Sequence, residues 1–190
     1  GGFKFIGTAH VKDLMAHLRV VANPLDAVSW NRVLLLVDGV GPKKAQELIA
    51  SLVRTDRPDH RPLDVLRGAG GRSSRALQDL ARTLEEAARM ESLTPAEQVN
   101  EVYGYYLPLL KEQYDDYPKR IRDLEHLHTM AERYHSLEEF LSDLALEPPE
   151  QSVVDIEPAG RDDERLVLST IHSAKGLEWQ CVFVIWVVDG

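Results

Sequence analysis

The chain has 190 residues, 44% of them hydrophobic and 28% charged, with a formal net charge of −9. Such a length can bury one sizeable core and a fragment of a second, and the composition is ordinary for a soluble globular protein. A single cysteine, Cys181, excludes a disulfide within the chain, no secretory leader is legible and the longest apolar run is too short to span a bilayer, so a cytoplasmic protein with no membrane partner is expected.

The negative charge argues against a general nucleic-acid binder, but it is unevenly placed. Residues 1–90 hold fourteen Lys and Arg against ten Asp and Glu, a balance of +4. Residues 91–190 hold eight against 21, a balance of −13. Phosphate contacts are therefore expected in the first half, and a solvated helical surface in the second.

Thr8 can cap a first helix on which Val11, Leu14, Met15, Leu18 and Ala22 share one apolar face, with Lys12, Asp13 and Arg19 off it. Asn23-Pro24 ends that helix. Val28–Val37 reads as a second helix, in which Trp30 is expected to anchor the core.

The next stretch is Asp38-Gly-Val-Gly-Pro-Lys-Lys. Gly39 and Gly41 around Val40 permit a tight turn, and Pro42 suits the first position of a new helix with Ala45, Leu48, Ile49, Leu52 and Val53 inward. The turn would present unpaired N–H groups at a helix N-terminus, with Lys43 and Lys44 beside it. That arrangement can grip a backbone phosphate, as in helix-hairpin-helix modules.

Further helices are expected over 62–67 and 73–90, the first closed by Gly68-Ala-Gly-Gly71, and from the capping box Thr94-Pro-Ala-Glu97 onward. Two more run over 118–134 and from Ser136 to about Leu146. Tyr103, Tyr105, Tyr106, Tyr114 and Tyr117 lie among acidic residues, which favours packing over base stacking. His126 and His128 face different directions on a helix, so no shared metal is expected. Glu147–Asp163 reads as an acidic, proline-bearing linker.

After the linker, Leu166–Thr170 and Cys181–Val188 are strand-like apolar runs around a polar connection. In parallel sheets ligands bind at the carboxyl ends of strands, where Thr170, His172, Lys175 and Glu178 would sit. The string Thr170-Ile-His-Ser-Ala-Lys-Gly-Leu-Glu-Trp179 closely resembles motif V of the UvrD/Rep family of superfamily 1 DNA helicases. The opening Gly-Gly-x-x-Phe, followed by Lys12-Asp-Leu-x-Ala-x-Leu-Arg19, resembles the family's segment after motif IV. His10 stands where the family usually has Glu, and Thr8 where it often has Arg. Gly39-Val-Gly41 matches the Gly-Ile-Gly element of the family's 2B domain.

The resemblance implies a mainly α chain: an inserted helical 2B domain over residues 23–163, flanked by pieces of motor domain 2A, 1–22 and 164–190, the latter adding a small parallel β element. It implies an ATP-dependent 3′–5′ DNA helicase as the parent protein, serving DNA repair or replication, with ATP and Mg²⁺ as its cofactors. Its partners would be single-stranded and duplex DNA and the rest of the helicase chain, domains 1A, 1B and the remainder of 2A. Thr170 and His172 would contact the single strand, Gly176 and Glu178 the nucleotide, and Lys175 the loop between them. Gly39, Val40, Gly41, Lys43 and Lys44 would hold the duplex backbone. No phosphate-loop sequence is present, so the chain is expected to be a fragment with no complete catalytic site, no bound cofactor and no ATP turnover of its own. A stand-alone helix-hairpin-helix DNA-binding or protein-interaction module is the competing reading.

Overall fold

The computed structural model describes residues 4–54, 61–89, 93–146 and 181–183. After a 3₁₀ turn, Lys4–Gly7, eight α-helices follow among these residues. They are α1 (Ala9–Ala22), α2 (Ala27–Leu35), α3 (Pro42–Leu52), α4 (Pro62–Gly68), α5 (Ser74–Ala87), α6 (Pro95–Gln113), α7 (Tyr117–Ala131) and α8 (Leu137–Leu146). All belong to one compact unit, Gly1–Pro149; a second unit comprises Glu150–Gly190. The mainly α expectation holds. The expected β element lies outside the described residues except for 181–183, which are exposed and in no strand.

Local chemistry explains several helix ends. Asp26 accepts from the N–H groups of Val28 and Ser29 at 3.1 and 3.0 Å, which starts α2 at Ala27. The capping box before α6 forms as expected: Thr94 Oγ1 accepts from Glu97 N at 3.3 Å, and the Glu97 carboxylate accepts from Thr94 N at 2.6 Å. Helix α5 stops at Ala87, short of the expected Met90. There the buried amide of Gln98 donates to the Ala87 carbonyl at 2.9 Å, satisfying an acceptor that the helix end leaves open. Trp30 is fully buried and donates from Nε1 to the Pro24 carbonyl at 2.8 Å, as a core anchor should.

Helix α1 departs from expectation. Its sequence reads as one apolar face, yet it is buried nearly all round, because α2, α5, α6, α7 and α8 all pack against it. Val11, Leu14 and Leu18 are fully buried, each worth about 1.5–3 kcal/mol relative to exposure. Thr8 precedes the helix in extended conformation, but its hydroxyl donates back to the Phe5 carbonyl and caps nothing.

Encirclement also buries three polar side chains, and each finds a partner on another turn or helix. Asp13 accepts from Arg32 Nε at 2.6 Å and from the Tyr106 hydroxyl at 2.8 Å. His10 lies between Asp123, 2.9 Å from Nε2, and Arg120, 3.1 Å from Nδ1. A guanidinium only donates, so Nδ1 accepts and the neutral ring donates from Nε2 to Asp123. Burial lowers the pKa of His10 despite the pull of that carboxylate.

His17 donates from Nδ1 to the Asp13 carbonyl at 2.8 Å, and its buried Nε2 has no partner. Burial pushes its pKa down from 6.5 to about 4. The fold thus accepts the neutral ring. Its contribution is fully present above pH 6.5 and is lost as pH falls toward 4. That gap corresponds to roughly 3 kcal/mol at the acid end. His17→Phe, which keeps a ring but removes the titrating group, should flatten the pH dependence of urea unfolding between these values. Identical slopes in the two proteins would assign the acid sensitivity elsewhere.

The tyrosines behave as packing groups. Tyr106 is fully buried, and Tyr103, Tyr105, Tyr114 and Tyr117 pack partly buried on the core. His126 stacks on Phe5 at 4.7 Å between ring centres, whereas His128 lies 3.9 Å from Glu132, so the two serve different surroundings.

Candidate nucleic-acid interface

The α2–α3 connection is a tight turn closed by Val40 N–H to the Val37 carbonyl at 3.0 Å. Gly39, third in that turn, has φ +75°, the left-handed region that favours glycine. A Cβ there would also stand 3.5 Å from Ser73 Cβ. Val40 points inward and is buried. Gly41 is the N-cap of α3 in extended conformation, φ −85° and ψ 174°, which any residue can adopt. A Cβ on Gly41 would meet nothing within 4 Å.

The two glycines therefore do different work. Gly39 is required by the turn. Gly41 keeps the space over the start of α3 open. That helix start has no side-chain cap, and Pro42 occupies its first position. The first N–H groups of an α-helix have no acceptor within it, and the helix dipole adds partial positive charge there.

The two lysines also part company. Lys43 is exposed. Lys44 is half-buried and turned inward, donating from Nζ to the Gly70 carbonyl at 3.1 Å and to Ser73 Oγ at 2.5 Å.

Those acceptors belong to the α4–α5 turn, where the sequence alone predicts only the close of a helix. Gly71 there has φ +90°, and Ser73 precedes α5 as an N-cap whose side chain makes no capping bond. Two uncapped helix starts, α3 and α5, thus adjoin through glycine turns. Arg72 and Arg75 are exposed at the second of them. Arg72 lies 3.8 Å from Asp38, both 84% exposed, so this pair is solvated and leaves the guanidinium available. The pattern Gly-Gly-Arg-Ser-Ser-Arg before an amphipathic helix was the available signal.

The remaining expected site residues, Thr170, His172, Lys175, Gly176 and Glu178, lie outside the described residues.

The helical unit with its glycine hairpin has the class expected from the sequence, and comparison with known proteins agrees. The UvrD-like helicase C-terminal domain family matches residues 71–190, and the chain belongs to that family. It is similar to the ATP-dependent DNA helicase PcrA of Bacillus subtilis, 26% identical over 100% of this chain and 28% of that protein. PcrA of Staphylococcus epidermidis is 30% identical over 97% of the chain and 26% of its own length. PcrA of Staphylococcus aureus is 27% identical over the same shares. The chain thus spans about a quarter of these relatives. No solved structure matches it at a significant level. No helix among the described residues is long and apolar enough to cross a membrane.

Proposed function

We propose that this chain is the part of an ATP-dependent 3′–5′ DNA helicase that steadies the duplex ahead of the motor, through the hairpin Gly39-Val-Gly41 and Lys43. The observation that carries this is an uncapped helix start left open by Gly41, with an exposed ammonium beside it. The α4–α5 turn, with Arg72 and Arg75, extends the same surface. Similarity to helicases over nearly the whole chain supports this reading over a stand-alone binding module.

Residues 1–22 and 164–190 are then edges of motor domain 2A, and 23–163 the inserted 2B domain. The nucleotide and its Mg²⁺ belong to the whole helicase, where Gly176 and Glu178 would form one wall of the nucleotide site. Thr170 and His172 would meet the single strand, with Lys175 between. A loop touching both ligands couples them, because each ligand biases the same element. In the full-length protein, Glu178→Ala should lower ATP hydrolysis and unwinding together. Normal ATP hydrolysis in that variant would make Glu178 a mere surface carboxylate. The isolated chain, lacking a phosphate loop, is expected to turn over no ATP.

For the hairpin, the test is the salt dependence of duplex binding. One such contact is weak, so a Kd on the order of 10⁻⁴ M or poorer is expected at physiological salt. Lys43→Ala should reduce the slope of log affinity against log salt by about one. An unchanged slope would remove Lys43 from the interface.

A further inference from the structure

We infer that Lys44 is a positioning residue: its ammonium ties the α2–α3 hairpin to the α4–α5 turn and thereby holds the phosphate-facing helix start in place. This rests on the duplex-binding reading above. It changes the role of Lys44 within that reading from a phosphate ligand to an internal tether.

The geometry favours the tether. A lysine ammonium has three N–H donors and no acceptor. Two of the three are directed to fixed oxygens, the Gly70 carbonyl and the Ser73 hydroxyl. Ser73 is itself only 1% exposed, so its oxygen is held by the fold and cannot follow a departing ammonium. Gly71 lies beside the ammonium: a Cβ built there would stand 3.8 Å from Nζ, an ordinary van der Waals distance. Moving Lys44 onto a phosphate would leave the buried Ser73 hydroxyl without the partner it has here, and a buried polar group is costly to abandon. Lys43 carries no such commitment and supplies the mobile charge.

The tether has a mechanical consequence. The backbone of Lys44 is in the first turn of α3, whose N–H groups would meet the phosphate. Its side chain ends on the residue preceding α5. One side chain therefore fixes the relation between two helix starts. Releasing it would let the hairpin rock against the second turn, and binding would weaken through lost preorganisation while the phosphate count stays the same.

The test uses the 190-residue chain, a short blunt DNA duplex and fluorescence anisotropy over a series of salt concentrations. The variants are Lys44→Met, Ser73→Ala, their combination and Lys43→Ala, each checked for native helix content by circular dichroism. Ser73→Ala removes an acceptor and no charge, so it reports on the tether even where Lys44→Met lowers stability. The expected result is a roughly three- to tenfold loss of affinity per folded molecule in both single variants, the size of one hydrogen bond. Both should keep the salt slope of the parent chain, and the double variant should bind no worse than Lys44→Met. A salt slope reduced by about one in Lys44→Met, with Ser73→Ala binding normally, would make Lys44 a phosphate ligand and overturn the inference. Normal affinity in both would reduce it to a structural contact and overturn it equally. Failure of the underlying reading looks different: the parent chain would show no salt-dependent duplex binding, or Lys43→Ala would leave it unaltered.

Discussion

Asp13→Ala is expected to destabilise the helical unit by about 2–4 kcal/mol, a large share of the stability of an ordinary domain. The carboxylate is only 5% exposed and joins three helices, accepting from Arg32 of α2 and from the Tyr106 hydroxyl of α6. Its removal strands a fully buried phenol, whose abandoned hydroxyl alone costs about 1–3 kcal/mol. Arg32 suffers less, because its side chain is 39% exposed and can return to water. The carboxylate also helps to raise the pKa of Tyr106, after burial itself, so the phenol stays a protonated donor throughout the neutral range. Tyr106→Phe should cost only about 1 kcal/mol, since Asp13 keeps Arg32. The double variant should therefore lose less than the sum of the two single losses, because no hydroxyl is left orphaned. Urea unfolding of the four proteins measures this. Strict additivity would mean that Asp13 and Tyr106 are neighbours without being partners.

Gly41→Val should leave the fold intact and reduce duplex binding tenfold or more. Valine fits the extended backbone at this position, and space beyond the Cβ is open. Its stability cost is that of a poorer N-cap, about 1 kcal/mol or less. The same side chain would stand over the first N–H groups of α3 and keep a phosphate from reaching them. Gly39 offers the opposite control. At φ +75° a side chain there strains the turn, so loss of binding in a Gly39 variant would report damage to the fold. Binding by Gly41→Val equal to that of the parent chain would show that no phosphate approaches this helix start.

Local features were legible in the sequence. Periodicity revealed the helices, the Thr94 and Glu97 spacing predicted a capping box that is present, and Trp30 is the core anchor it resembled. The glycine turn was legible because Gly39 answers a backbone requirement within four residues. What escaped depends on partners distant along the chain. Asp13 reads only as a residue off the apolar face, because a 3.6-residue period reports which face is apolar. It cannot report that helices will close over the other face. Asp13's partners lie 19 and 93 residues away. Lys44 read as a twin of Lys43 for the same reason, since the oxygens that capture it are 26 and 29 residues on. The second glycine turn has a clear local signature, yet only folding sets it beside the first.

The most direct test of duplex gripping is a chemical-shift titration of the ¹⁵N-labelled chain with a short DNA duplex at low salt. The amides of Gly39, Gly41, Lys43 and Lys44 should move first and furthest, followed by Arg72 to Arg75 at the adjoining turn. The net-acidic helices α6 and α8 should stay still. Binding that shifts other residues while 39–44 remain unmoved would contradict it, leaving Gly39 with no role beyond the turn and Gly41 with none in binding.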